Sequence, residues 1–119
     1  MNRKQVEQYV REEYDVMPEY LWEGDRVTAA LRHSNTKKWF GIIMRISSRK
    51  LGCNDDALID IVNVKLDPDF IQLLLQDRRG QLYPAYHMNK KHWITILLNN
   101  HADVNLIKSL INESYSLTL

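Results

Sequence analysis

Lys38-Trp39-Phe40-Gly41-Ile42-Ile43-Met44-Arg45-Ile46-Ser47 is rich in β-branched and aromatic residues and free of proline, which predicts a strand. Read with a period of two, Phe40, Ile42, Met44 and Ile46 share one face and are expected to point into the core. Trp39, Gly41, Ile43, Arg45 and Ser47 share the other face. That set is mixed in polarity, so its face is expected to be partly exposed. Upstream, Ser34-Asn35-Thr36 is turn chemistry that joins this strand to another near Val27 to His33. Two strands joined by so short a turn pair antiparallel, and the sheet is read outward from them.

Asn2 with Gln5 three residues on is a capping-box pattern, and Val6, Tyr9, Val10, Tyr14 and Met17 follow at helical spacing. Pro18 disfavours helix at the residue before it, so the helix is expected over 2–16. Glu19 to Arg26 reads as an aromatic-rich connector. Leu58 to Leu66 reads as a strand with Leu58, Val62, Val64 and Leu66 inward. Asp67-Pro68 opens a short helix through Phe70, Leu73 and Leu74. Further extended pieces are expected over Leu82 to Tyr86 and Trp93 to Leu98, the latter with Ile94, Ile96 and Leu98 inward. Asp103 caps a last helix carrying Val104, Ile107, Leu110, Ile111 and Ser114. The predicted fold is one α+β domain over residues 1–119. It has an antiparallel sheet of about five strands, with N-terminal and C-terminal helices and one short internal helix on one face.

Composition agrees with a single folded core: 45% hydrophobic and 26% charged residues is globular, not disordered. The lone cysteine, Cys53, cannot form an internal disulfide, which fits a reducing compartment. The N-terminus is polar and no apolar run is long enough to span a bilayer, so a cytoplasmic protein without a membrane partner is expected. A formal net charge of +1 conceals an asymmetry. No acidic residue falls between Asp25 and Asp55, where Arg26, Arg32, Lys37, Lys38, Arg45, Arg49 and Lys50 lie. None falls between Asp77 and Asp103 either, where Arg78, Arg79, Lys90 and Lys91 lie.

Pro84-Ala85-Tyr86-His87-Met88-Asn89-Lys90-Lys91-His92-Trp93 resembles a string of the MmcQ/YjbR family. Arg32-His33, Lys38-Trp39-Phe40, Asn63-Val64-Lys65 ahead of Asp67-Pro68, and Ser114-Tyr115 match at corresponding relative positions. Gly41 departs mildly, standing where many relatives carry alanine. The resemblance covers nearly the whole chain and implies a frataxin-like, or secretion-chaperone-like, α+β fold. Family members are often labelled DNA-binding by likeness of their loops to a double wing, which is an analogy of shape.

Two functional readings remain open. In the first, the chain is a nucleic-acid-binding module with DNA as partner. Lys37, Lys38, Arg45, Arg49, Lys50, Arg78, Arg79, Lys90 and Lys91 would reach phosphates while Trp39 and Trp93 stack. In the second, it is a protein-interaction or chaperone-like module that uses a sheet face with Trp39, Ile43 and Leu97. A lesser idea is an anion pocket at His87 and Lys90. Pro84, Tyr86, His87, Asn89, His92, Ser114 and Tyr115 are read as architectural, with Asn89 suited to a left-handed backbone and Ser114 and Tyr115 packing near the Tyr86–Trp93 corner. His33 and His101 are the only candidate bases worth naming and Cys53 has no partner base. His87 and His92 match no ligand spacing, and no glycine-rich phosphate loop occurs. The expectation is a non-enzyme with no cofactor and no metal, and its oligomeric state stays open.

Overall fold

In a computed structural model covering residues 1–119, the Asn2 side chain accepts from the Gln5 N–H at 2.9 Å while Gln5 accepts from the Asn2 N–H at 2.8 Å. This reciprocal cap starts α1 (Arg3–Tyr14). The helix stops short of the expected end at Val16. Asp15 turns left-handed (φ 56°) and the Val16 N–H closes onto the Val10 carbonyl, releasing the chain before Pro18 is reached.

The released chain forms β1 (Glu19–Tyr20), which pairs with β2 (Ala29–Arg32). This sixth strand was hidden in the connector because two residues carry no alternation to read. Next come β3 (Trp39–Ser47), a 3-10 turn (Ser48–Leu51), β4 (Leu58–Lys65), α2 (Pro68–Asp77), β5 (Leu82–Pro84), β6 (Trp93–Leu98) and α3 (Val104–Leu117). The sheet is antiparallel throughout, in the order β1-β2-β3-β4-β6-β5. Asp67 caps α2 ahead of Pro68, and Asp103 caps α3 by accepting from the Leu106 N–H at 3.1 Å.

Register corrects the face assignment of β3. Ile43 lies opposite Val62, Val62 opposite Ile96, and Ile96 opposite Leu82. All four join Val6 and Val10 of α1, Ile71 and Leu74 of α2, and Ile107, Leu110 and Ile111 of α3 in one core. Ile42, Met44 and Ile46 therefore point away from the helices. The cause is a bulge: Leu31 pairs with Gly41 but Arg32 pairs with Trp39, leaving Phe40 unpaired, and its ring enters the helix-covered core. Polarity could not reveal this, because Ile42 and Ile46 are themselves buried on the second face. Leu31 occupies the space that Gly41 leaves empty, since a Cβ there would stand 2.9 Å from the Leu31 side chain. Leu58, expected inward, is 71% exposed beyond the reach of the helices.

The bulge ends the β3–β4 ladder at Gly41 opposite Val64. Beyond it the Ser114 hydroxyl fills the gap, accepting from the Lys65 N–H at 2.9 Å and donating to the Phe40 carbonyl at 2.6 Å. Ser114 is fully buried, so no water replaces it at no cost. Next to it Tyr115 stacks on Tyr14 (centroids 3.9 Å apart, planes at 9°) and meets Phe40 and His33. Ser114 and Tyr115 thus pack at the β3 bulge and α1, not at the Tyr86–Trp93 corner. Tyr14 and Tyr9 both donate to the Asn112 side chain, and burial, with Tyr9 beside it, pushes the Tyr14 hydroxyl far above its ordinary range.

His33 is 1% exposed, and its Nε2 lies 2.7 Å from the Thr118 hydroxyl. Thr118 donates to the Ser114 carbonyl at 2.7 Å, so this network assigns the Nε2 proton to His33 as donor. Burial first, then the Lys38 charge, holds the imidazole below its ordinary pKa.

Two outcomes follow from this packing. Ser114→Ala leaves a buried donor and a buried acceptor unpaired and is expected to cost about 1–3 kcal/mol in urea unfolding. The exposed Ser116→Ala should stay within roughly 0.5 kcal/mol. His33, neutral when folded and readily protonated when unfolded, contributes stability that is complete above its ordinary value of 6.5. That contribution is lost as pH falls from there through the lowered folded value. Thermal stability should therefore fall from about pH 7 to about pH 5 more in the wild type than in His33→Gln. Equal slopes would contradict the assignment.

Candidate nucleic-acid interface

Antiparallel pairing of β3 with β4 and of β4 with β6 makes β3 and β6 run in the same direction. Their first residues, Trp39 and Trp93, therefore stand at the same end of the sheet. So do the segments that feed them: the β2–β3 turn with Lys37 and Lys38, and the β5–β6 connection with Lys90 and Lys91. Trp39 pairs with Arg32 and Trp93 with Lys65, and both pairs lie on the face away from the helices. The two indole rings are half-buried, and the Arg32 guanidinium lies 5.4 Å over the Trp39 ring. Arg32 and Lys65 lie beside the tryptophans although neither is among the cations expected from sequence to reach phosphates. The signal for Lys65 was available, since a period of two places it on the same face as Asn63.

Each segment is held by its own local chemistry. The β2–β3 turn closes with the His33 N–H on the Lys38 carbonyl (2.9 Å) and the Lys37 N–H on the His33 carbonyl (3.0 Å). Lys37 is left-handed at φ 65°, a conformation that costs a side-chain-bearing residue roughly 1–2 kcal/mol. In the β5–β6 connection, Asn63 and Thr95 sit directly opposite one another, fully buried and hydrogen-bonded through the Thr95 hydroxyl. Asn63 donates to the Tyr86 carbonyl at 3.0 Å, and the Thr95 hydroxyl accepts from the Tyr86 N–H at 2.9 Å. The left-handed residue that follows is His87 (φ 57°), not Asn89, whose side chain instead accepts from the Lys91 N–H at 2.8 Å. Tyr86 thus has its backbone satisfied by others, and the exposed His87 packs edge-on to its ring.

The remaining candidates divide by position and by pairing. Arg45 and Arg49 follow β3 to the opposite end, where Arg45 forks onto Asp60 (2.9 and 3.4 Å) and Arg49 onto Asp56 (2.7 and 3.4 Å). Those carboxylates raise both guanidinium pKa values through the hydrogen bonds they accept. Arg78 and Arg79 precede β5 and so occupy that opposite end too, with Arg78 within 3.5 Å of Asp103 and 3.9 Å of Asp77. Lys37, Lys38, Lys90 and Lys91 are exposed, and none makes an ion pair with a carboxylate. The two acid-free stretches therefore meet only in part: Lys37, Lys38, Lys90 and Lys91 share an end, while Lys50, Arg45, Arg49, Arg78 and Arg79 do not.

Other candidate chemistry is accounted for. Ile43 lies wholly within the helix-covered core, which removes it from any exposed sheet face. His33 is sealed behind Thr118, while His101 is exposed at the opposite end beside Arg79. Cys53 is a free thiol next to Tyr83, whose hydroxyl is pushed up first by burial and then by that thiol. No three His, Cys, Asp or Glu side chains gather to hold a metal. No helix is long and apolar enough to cross a membrane.

The YjbR family model matches residues 5–117. The Bacillus subtilis protein YyaQ, described as uncharacterised, is 39% identical over 119 residues, covering 99% of this chain and 98% of its own. A crystal structure of a Pseudomonas syringae protein is 40% identical, superposes with a TM-score of 0.93 and covers 100% of both chains. A Deinococcus radiodurans protein with a DUF419 domain shares the fold at 19% identity and a TM-score of 0.72, over 98% of this chain and 77% of its own.

Proposed function

Because the chain belongs to the YjbR family, whose relatives above carry no stated activity, we propose from its own geometry that it is a small binding module for nucleic acid. It grips the phosphate backbone with the lysine end of the sheet. One observation carries the reading: four lysines from two distant segments border one end, beside Trp39 and Trp93, with no carboxylate paired to any of them. Unpaired cations can release condensed counterions from phosphates, whereas Arg45, Arg49 and Arg78 would first have to give up their carboxylates. The interface is therefore narrower than the sequence alone suggests.

Both tryptophans are half-buried and Arg32 lies over the Trp39 ring, so stacking is limited, base readout contributes little and binding tolerates sequence. A protein-interaction reading has a different observation in its favour. Phe70 and Leu73 on α2 are 37% and 65% exposed, on the helix side of the domain and away from the sheet face first considered.

Fluorescence anisotropy on a short labelled duplex tests the phosphate reading. Four backbone contacts should make log affinity fall by roughly 3–4 units per unit of log salt. Lys38→Glu and Lys91→Glu should each weaken every duplex by about tenfold and flatten that slope by about one unit. Arg79→Glu makes the same charge change at the far end and should leave affinity within about twofold. Undetectable or salt-insensitive binding at about 50 mM salt, or an equal effect of Arg79→Glu, would overturn the proposal.

A further inference from the structure

Lys50 and Lys90, one from each acid-free stretch, wall the same depression of about 180 Å³ together with Leu51, Tyr83, Pro84 and Tyr86. We infer that this depression is a small-molecule site for a phosphate monoester carried on a compact apolar body. It shares Lys90 with the phosphate-backbone surface but differs from it in using Lys50, which follows β3 at the opposite end of the sheet, and it needs no nucleic acid.

The charge pattern is the first argument. No carboxylate lines the depression, and neither lysine makes an ion pair anywhere. Within the same 3-10 turn Arg49 is committed to Asp56, so the turn offers one free cation. Two unpaired lysines bordering one space with no carboxylate among its walls favour an anion there. Two ammonium groups match a dianionic phosphate monoester better than a singly charged carboxylate.

The walls are fixed before any ligand arrives. On one side the Ser48 N–H donates to the Ala57 carbonyl at 2.8 Å and its hydroxyl to the Asp55 carbonyl at 2.9 Å. Gly52, left-handed at φ 88°, closes that turn onto the Arg49 carbonyl. On the other side the Asn63–Thr95 pair holds both backbone groups of Tyr86. Burial and the neighbouring Cys53 thiol hold the Tyr83 hydroxyl above its ordinary pKa, so it adds no phenolate charge to the lining. Size sets the ligand class. A volume of 180 Å³ lies below the roughly 300–1,000 Å³ of pockets for drug-sized ligands, which leaves room for one ring or a short chain beside the phosphate.

Phenyl phosphate titrated into the isotope-labelled whole protein and followed by amide shifts provides the test, with inorganic phosphate, benzoate and benzyl alcohol as parallel arms. The expected result is saturable shifts at Leu51, Tyr83, Tyr86 and Lys90, with each parallel probe weaker by at least about fivefold. Lys50→Ala should weaken phenyl phosphate about tenfold and leave duplex binding unchanged, while Lys50→Arg retains it. Lys38→Glu should do the reverse, which separates this site from the nucleic-acid surface. Non-saturating shifts, shifts spread equally over Lys37, Lys38 and Lys91, or an affinity indifferent to Lys50→Ala would each overturn the inference.

Discussion

Where β3 and β4 part at the Phe40 bulge, the hydroxyl of Ser114 completes a pairing that the two backbones cannot make alone. The last turn of α3 is thereby tied into the sheet ladder. The same turn delivers Tyr115 onto Tyr14 of α1, and Thr118, just beyond it, onto His33 at the end of β2. One polar contact thus joins the C-terminal helix, the N-terminal helix and the hairpin carrying Lys37 and Lys38. Buried networks of this kind hold a single arrangement when every member is satisfied and fail together when one is removed.

The bulge also organises the functional end. By letting Phe40 enter the helix-covered core it leaves Trp39 paired with Arg32 on the opposite face, in line with Trp93 and Lys65. The Asn63–Thr95 pair then fixes the connection bearing Lys90 and Lys91 to that same face. Arg45, Arg49 and Arg78 at the other end are paired with Asp60, Asp56 and Asp103. Geometry and charge pairing together leave four unpaired lysines at one end of a nearly neutral protein, which a total of +1 conceals.

Much of the fold was legible because local chemistry and global structure agree. Asn2 with Gln5, Asp67 with Pro68, and Asp103 all cap the helices they announce, and Ile94, Ile96 and Leu98 face the core as their alternation implies. The β3 face was misread because both faces of that strand are apolar and buried, so alternation carried no information, and a bulge leaves no mark in composition. The two-residue β1 was too short to read. Ser114, Tyr115 and Tyr86 were expected to be architectural without their partners being legible, since contacts between residues so far apart in the chain follow from topology and not from spacing. Of the interface, the lysines were legible as a charge pattern. Which cations stay unpaired depends on cross-strand neighbours that only the register shows.

The central claim is that nucleic-acid phosphates meet the sheet end bearing Lys37, Lys38, Lys90 and Lys91. Amide shift mapping during titration with an unlabelled DNA duplex at low salt tests it most directly. The account predicts perturbation confined to residues 36–39, Lys65 and 90–93, and it is contradicted by perturbation centred on 45–49 or 78–81, or by none at all.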